Sequence, residues 1–303
     1  MADLRPARVR VPCSTSNLGS GYDTVGLAFD RYLEVSFDPG PDPLQVVHEG
    51  TLTLLDEAPG DDLVAMMFSR VLPPDARPVG TLRLTSNIPV GRGLGSSAAA
   101  VLAGFDLARA VQGLERDDVA AFEAAYSHEG HGDNAAPCLF GGLRAVLPGA
   151  TRPLITPLEL SPKVGFAYAA PAMILSTRAA RKALPKHVGH DTAVRSVARV
   201  IALTRGLATG DPELLRIGAE DELHVPYRLP LIPGAYNAIG AGYDAGAWAI
   251  TVSGAGSGLI AMCDPDRSGA VSAAMREVFA NGDDNPECVG FAVTPDFQGL
   301  TRL

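Results

Sequence analysis

The sequence predicts an α+β protein of two domains that pack as one body. Its 303 residues, 47% hydrophobic and 19% charged, are enough for one large core or two modest ones. Strand-like alternation dominates the beginning of the chain, and strands and helices mix in its second half. Proline-rich spacers near Pro153 and Pro157 separate the two sets of elements. We therefore expect domains at 1–158 and 159–303.

The first half begins with strands and continues with helices. Apolar and polar residues alternate in three segments, which predicts strands at 8–13, 32–37 and 81–85. Alanine and leucine without proline predict a helix that begins at the Ser96–Ser97 pair and ends before Gly113. A second helix is predicted at 117–128. A short strand follows the glycine pair 141–142 and runs toward Leu147.

The second half shows shorter elements in mixed order. Runs of apolar residues predict strands at 164–169, 248–252 and 258–263. Helical composition predicts helices at 192–208 and 269–280. This order indicates an α+β second domain.

Composition excludes several classes of partner. With 25 Lys and Arg against 34 Asp and Glu, the net charge of −9 repels a polyanion, so we expect no nucleic-acid partner. The four cysteines form no CxxC pair, which favours a reduced, intracellular protein. The beginning of the chain lacks the apolar core of a signal peptide, and no run of about 18 apolar residues occurs. We expect a cytoplasmic protein without a membrane partner.

A glycine-rich loop leads directly into the first predicted helix. Glycines at 91, 93 and 95 permit positive φ and close backbone approach, so successive N–H groups can point at one anion in front of the helix dipole. This pattern indicates a phosphate site, and a plain glycine turn capped by Ser96 is the alternative. The loop lacks the Gly-Lys-Ser/Thr of a Walker motif and the acidic partner of a Rossmann fingerprint.

Several segments together resemble one kinase family. The pattern P-x-x-x-G-L-G-S-S-A is similar to the ATP loop of the GHMP kinases. The segments that resemble the homoserine kinases of that family lie at 11–26, 129–142, 176–185 and 226–234, and the segment 253–256 resembles the third GHMP motif. The resemblance runs from about residue 8 to residue 263. It implies an N-terminal ribosomal-protein-like α/β domain, a C-terminal ferredoxin-like domain, and transfer of a phosphoryl group from ATP to the hydroxyl of homoserine.

The resemblance also implies a set of site residues. ATP would be held by Pro89, Val90, Gly91, Arg92, Gly93, Leu94, Gly95, Ser96, Ser97, Ala98 and Ala99. Mg²⁺ would be held by Ser97 and Glu129. The substrate ammonium would contact Asp23, Asn17 and His131, the carboxylate would contact Arg181 and Arg228, and Asn134 would contact the reacting hydroxyl. Asp23, Glu129 and Asn134 are the implied catalytic residues. The sequence does not report the oligomeric state, and a homodimer stays open.

Two departures and two alternatives accompany this interpretation. Asp62 stands where the family usually has Asn, which puts base recognition in doubt because a carboxylate cannot donate to adenine. The family's Gly-Pro-Thr/Ser is replaced by Gly256-Ser257-Gly258. One alternative is a kinase for a mevalonate-type acid, and the other is a catalytically silent ligand sensor. The presence of both Ser97 and Glu129 argues against the sensor.

Overall fold

The computed structural model describes residues 4–55, 62–76, 78–281 and 287–303. The first half contains β1 (Ala7–Asn17), β2 (Gly21–Pro43), β3 (Gln45–Gly50), α1 (Leu63–Val71), β4 (Val79–Ser86), α2 (Ser96–Val111), α3 (Asp118–Glu129), α4 (Ala135–Phe140), β5 (Leu143–Leu147) and β6 (Leu154–Pro157). The second half contains β7 (Gly165–Ala170), α5 (Thr177–Lys182), α6 (His190–Thr209), α7 (Pro212–Ala219), α8 (Val225–Arg228), α9 (Ala235–Asp244), β8 (Ala247–Val252), β9 (Leu259–Cys263), α10 (Ser268–Ala280), β10 (Val289–Val293) and β11 (Thr301–Arg302).

The first sheet is built around the long strand β2. β2 pairs antiparallel with β1 along most of its length, with β4 in its second part and with β5 near its beginning. The path of the sheet is β11-β1-β2-β4-β3, and β5 and β6 branch from β2. Helix α2 packs on this sheet, and its buried side chains, among them Val101, Leu102 and Leu107, belong to the larger core. The sheet and α2 together hold the two ends of the glycine loop.

The second sheet is antiparallel, with the strand order β10-β7-β9-β8. Numbered within this half of the chain, that order is 4-1-3-2, which is the ferredoxin-like arrangement. Helices α9 and α10 contact each other and pack on the sheet over a second core that contains Ile250, Val271 and Met275. The ferredoxin-like prediction for this half is confirmed.

The last strand returns to the first sheet. Residues Val9 and Arg10 of β1 pair with β11, and Arg302 of β11 donates hydrogen bonds of 2.8 and 2.7 Å to the carboxylate of Asp106 in α2. The 159–303 segment therefore contributes to the first sheet as well as forming the second. The boundary at 158/159 stays a prediction.

None of the helices in the described ranges combines the length and the apolar character that crossing a bilayer requires.

Candidate functional site

The glycine loop connects β4 to α2 and takes the left-handed conformation three times. Gly91, Gly93 and Gly95 have φ values of 66°, 79° and 64°, and Gly95 immediately precedes the first turn of α2. These three glycines, with Ser96 and Ser97, line a cleft of about 160 Å³. The N-terminus of α2 therefore meets the cleft with its unpaired N–H groups, which favours an anion there.

Close packing explains why the loop needs glycine. A Cβ atom on Gly93 would lie 1.9 Å from the carbonyl oxygen of Ser253, and one on Gly95 would lie 2.4 Å from Oγ of Ser14. Both distances are far below van der Waals contact. The loop therefore packs closely against β1 and against the segment that follows β8, and this packing requires glycine whether or not a ligand is bound.

The other residues predicted to bind ATP lie away from the cleft. Leu94, Ala98 and Ala99 are buried in the core, and so is Pro89. The Arg92 side chain donates to the carbonyl of Glu287 and does not line the cleft, while its carbonyl accepts a hydrogen bond of 2.6 Å from the Tyr168 hydroxyl. These residues shape the loop from behind.

An apolar pocket of about 260 Å³ adjoins the loop and shares Gly91, Ser96 and Ser97 with the cleft. Its walls are mostly aliphatic and come from Leu33, Leu52, Leu55, Leu63, Val64, Leu84, Ile88, Val90 and Ala100. Asp62 is its charged group. One Asp62 oxygen accepts from the Ala65 N–H at 2.7 Å and begins α1, and the other contacts Nε2 of His48 at 2.8 Å. Both oxygens of Asp62 thus have protein partners.

All six residues predicted to bind substrate line the cleft, although they come from four segments of the chain. They are Asn17, Asp23, His131, Asn134, Arg181 and Arg228. Ser16, Glu129 and Asp133 line it as well, together with the segments 174–177 and 254–256. The fold therefore brings the phosphate loop and the charged residues into one cavity.

The two asparagines hold neighbouring parts of the protein. Asn17 accepts from the N–H of Asp23 at 2.9 Å and donates to the carbonyl of Gly254 at 3.0 Å. Asn134 accepts from the Ser14 hydroxyl at 3.0 Å and donates to the Ser16 hydroxyl at 3.1 Å. Each side chain already uses both ends of its amide, so its first task is to fix the wall of the cleft.

Asp23 and Arg181 form a two-point ion pair. Nη1 and Nη2 of Arg181 donate to the two carboxylate oxygens of Asp23 at 3.0 and 2.8 Å, and Nη1 also donates to the Tyr22 hydroxyl at 3.0 Å. Both charged side chains are about one third exposed. Their charges compensate each other at the mouth of the cleft.

Arg228 is different because its charge has no carboxylate partner in the described structure. Its side chain is 2% exposed. Nη1 donates to the carbonyl of Gly254 at 2.8 Å, whereas Nε has no hydrogen-bond partner among the described residues. A buried guanidinium without a counter-ion is costly, so this end of the cleft favours an anion.

Asp133 is a site residue that the motif comparison missed. It is 1% exposed, one oxygen bonds Nδ1 of His131, and the other oxygen has no partner among the described residues. Nε2 of His131 also has no hydrogen-bond partner in the described ranges, and a carboxylate oxygen of Glu129 lies 3.8 Å from it. Burial lowers the pKa of His131, but its hydrogen bond to Asp133 and the charges of Asp133 and Glu129 outweigh burial, and the pKa lies above its usual value. The sequence signal for Asp133 was its position beside Asn134 in the polar turn.

The donor set of Ser97 and Glu129 fits Mg²⁺. A hydroxyl at the beginning of α2 and a carboxylate at the end of α3 line the same cleft, and Mg²⁺ prefers oxygen ligands and keeps several waters and phosphate oxygens. A second group of possible ligand atoms belongs to Asp23, His131 and Asp133, which lie within 4.8 Å of one another. This group is the negative end of the cleft.

Known protein families match both halves of the chain. The model of the GHMP kinases N terminal domain matches residues 62–142, and that of the GHMP kinases C terminal domain matches residues 203–281. The chain is 38% identical to a homoserine kinase of Moorella thermoacetica over 90% of its own length and 92% of the relative's. It is 39% identical to a homoserine kinase of Thermus thermophilus over 84% and 86%.

Solved structures show the same fold. The crystal structure of homoserine kinase from Cytophaga hutchinsonii superposes with a TM-score of 0.83 at 25% identity, covering 100% of this chain and 98% of that one. A mevalonate kinase of L. major is more distant, with a TM-score of 0.66 and 15% identity over 94% and 95% of the chains. The chain belongs to the GHMP kinase family, and the two relatives named above are homoserine kinases.

Proposed function

We propose that this protein transfers the γ-phosphoryl group of ATP to the side-chain hydroxyl of L-homoserine, forming O-phosphohomoserine, the precursor of threonine, and ADP. The observation that carries the substrate assignment is the polarity of the cleft. The same cavity is lined by the buried guanidinium of Arg228 and by a buried carboxylate oxygen of Asp133, and within the described part of the chain neither has a partner of opposite charge or a hydrogen-bond donor, respectively. A zwitterionic amino acid supplies the missing partner to each.

The nucleotide assignment rests on the loop and its neighbouring pocket. The triphosphate would lie against Gly91, Gly93 and Gly95 at the beginning of α2, where N–H groups favour anions. The aliphatic pocket that shares Gly91, Ser96 and Ser97 with the cleft offers an apolar surface for the base. Asp62 can only accept hydrogen bonds, so it would face an amino group of the base rather than a ring nitrogen that accepts.

The residues of the chain act mainly by positioning. Ser97 and Glu129 would hold Mg²⁺, which when bound neutralises charge on the outer phosphates. The substrate hydroxyl then attacks the γ-phosphorus in line, the new O–P bond forms as the bond to the β–γ bridging oxygen breaks, and the hydroxyl proton passes to a phosphoryl oxygen. Asp23 is bound by Arg181 through both oxygens, so it is a poor candidate for a general base.

Two broader expectations accompany the proposal. The four cysteines are free and buried, which fits a reducing, cytoplasmic environment. The homodimer stays a prediction.

A substrate panel tests the proposal. ADP formation is followed by a coupled assay with MgATP and homoserine, mevalonate or galactose, and the phosphorylated product is identified by ³¹P NMR. We expect a turnover that depends on homoserine, with O-phosphohomoserine as the product. Turnover with mevalonate and none with homoserine would assign the protein to the mevalonate-type alternative, and ATP binding without turnover on any substrate would favour the ligand sensor.

A further inference from the structure

A fully buried histidine lies directly behind Arg228. Nη1 of Arg228 is 3.2 Å from Nδ1 of His224, one helical turn earlier, and the same nitrogen donates to the carbonyl of Gly254. His224 is 0% exposed and does not line the cleft. It therefore cannot touch a substrate, but it contacts the group that would.

The second ring nitrogen fixes the hydrogen positions. Nε2 of His224 lies 2.9 Å from the carbonyl oxygen of Gly19, which can only accept, so Nε2 carries the hydrogen. Burial lowers the pKa of His224 to about 4, against the charge of Asp221, so the ring is neutral near pH 7. Nδ1 then has a free lone pair, and it accepts from the guanidinium, which can only donate.

The ring itself is held from two sides. Tyr22 stacks on it with ring centroids 4.9 Å apart and an interplanar angle of 25°. Asp221 accepts from the N–H groups of Leu223, His224 and Val225 and so fixes the backbone where α8 begins. The position of Nδ1 is therefore set by the fold before any substrate arrives.

We propose that His224 is a positioning residue for the substrate carboxylate: as a neutral acceptor it fixes Nη1 of Arg228 without cancelling the guanidinium charge. This inference rests on the proposed function of Arg228 in homoserine binding. A carboxylate in the place of His224 could fix the same nitrogen, but it would neutralise Arg228 and repel the carboxylate of the substrate. A neutral ring leaves the whole positive charge for the ligand.

Three substitutions separate the parts of this arrangement. In His224→Asn, the amide oxygen can occupy the place of Nδ1 and accept from Arg228, but the bond to Gly19 is lost. In His224→Gln, the amide nitrogen can reach the place of Nε2 and donate to Gly19, but the acceptor for Arg228 is lost. His224→Asp has the shape of Asn and adds a negative charge. Thermal unfolding of each variant reports its effect on the fold.

The three variants should rank by how they affect Arg228. A purely structural role would instead make KM for homoserine follow the thermal stability of each variant. We expect His224→Asn to raise KM for homoserine only a few-fold, whereas His224→Gln and His224→Asp raise it roughly 10- to 100-fold, the range of one hydrogen bond to a charged group. The kcat at saturating homoserine and KM for ATP should change little. If KM follows thermal stability, or if Asn and Asp behave alike, His224 does not act through the charge and position of Arg228.

A substrate without a carboxylate completes the test. 3-Aminopropan-1-ol is homoserine without its carboxylate. With this substrate, the KM of each of the three variants should lie within about two-fold of the KM of the parent protein. Losses as large as those for homoserine would overturn the proposal. Absence of homoserine phosphorylation by the parent protein would instead contradict the proposed function, so the two failures are distinguishable.

Discussion

Arg181 and Asp23 are 158 residues apart in the chain and form a two-point ion pair, with N···O distances of 2.8 and 3.0 Å, at the mouth of the cleft. The pair uses the Asp23 carboxylate that the family comparison assigns to the substrate ammonium. Asp133 is more buried and has one oxygen without a hydrogen-bond partner among the described residues, so we expect it to be the stronger partner of the ammonium.

This relationship predicts unequal effects of two matched substitutions. Asp133→Asn should raise KM for homoserine roughly 10- to 100-fold, because the ammonium loses a buried charged acceptor. Asp23→Asn should raise it by less than about 10-fold, because Arg181 already compensates that charge. Steady-state kinetics at saturating MgATP measure both, and Asp118→Asn, in an ion pair with Arg116 outside the cleft, is the control. The reverse order would mean that Arg181 releases Asp23 when substrate binds.

The buried charge of Arg228 predicts a selective loss. Arg228→Met keeps an apolar stem in the buried position and removes the charge. Its kcat/KM for homoserine should fall by the factor that corresponds to a loss of about 2–4 kcal/mol in transition-state stabilisation. Arg228→Lys should recover little, because an ammonium cannot reproduce a two-point fork. A homoserine ester should be a poor substrate of the parent and scarcely worse with either variant. Equal losses on homoserine and its ester would assign Arg228 to the fold or to the ATP site.

Glu129 is predicted to act on kcat rather than on homoserine affinity. If Glu129 holds Mg²⁺ while charge shifts on the γ-phosphate, Glu129→Gln should raise the activation free energy for turnover by about 3–5 kcal/mol, as for other preorganised charge stabilisers, and kcat should fall accordingly. Glu123→Gln, an exposed position on the same helix α3, should behave like the parent. Turnover is measured over a magnesium titration. A near-normal kcat of Glu129→Gln at saturating magnesium would remove Glu129 from the metal site.

His224 predicts a pH dependence of stability. Burial lowers the pKa of His224 to about 4 from the usual 6.5. Between these two pH values the histidine is protonated in the unfolded chain and neutral in the folded chain. This contribution is fully present above pH 6.5 and is lost as pH falls toward 4, by up to about 3 kcal/mol. The ionisable groups around the ring are Asp221, Arg228, Tyr22 and Asp23.

The comparison with His224→Asn isolates this contribution from the carboxylates that titrate in the same range. Urea unfolding between pH 7 and 5 should show a steeper loss of the free energy of unfolding in the parent protein than in the variant. Parallel slopes would indicate that the histidine titrates alike in the folded and unfolded chains.

The sequence predicted the long helices α2, α3, α6 and α10 well, whereas it predicted only residues 32–37 of the long strand β2. The helix predicted at 96–111 is observed as Ser96–Val111, because an alanine-rich stretch between serines and a glycine has few other conformations open to it. Elements whose stability comes from tertiary packing were missed. Helix α9, Ala235–Asp244, contains two internal glycines, and α8 has only four residues, so neither shows a helical pattern.

The resemblance implied six substrate-binding residues, and the structure brings all six to one cleft, but their pairing depends on the fold. Whether Asp23 faces a ligand or Arg181 is decided by the approach of α5 to the beginning of β2, where Tyr22 and Asp23 lie, and no local pattern reports this approach. His224 was missed because a histidine next to a proline-containing turn carries no signal of its own. Its function follows from the partners of its two nitrogens.

Gly95 packs closely against other parts of the protein. A side chain at this position would collide with Ser14 and Asn134 of the protein itself, so Gly95→Val is a substitution that disturbs the fold as well as ATP binding.

The most direct test of the central claim compares kcat/KM for homoserine with that for each of its two truncated forms. 4-Hydroxybutanoate lacks the ammonium, and 3-aminopropan-1-ol lacks the carboxylate, while both keep the reacting primary hydroxyl. Because the cleft offers a buried partner for each charge, kcat/KM for each truncated alcohol should be roughly 100-fold lower than for homoserine, or lower still. Asp133→Asn should reduce the ratio of kcat/KM for homoserine to kcat/KM for 4-hydroxybutanoate, and it should leave the corresponding ratio for 3-aminopropan-1-ol unchanged. Comparable kcat/KM values for homoserine and 4-hydroxybutanoate would contradict a site built for a zwitterionic amino acid.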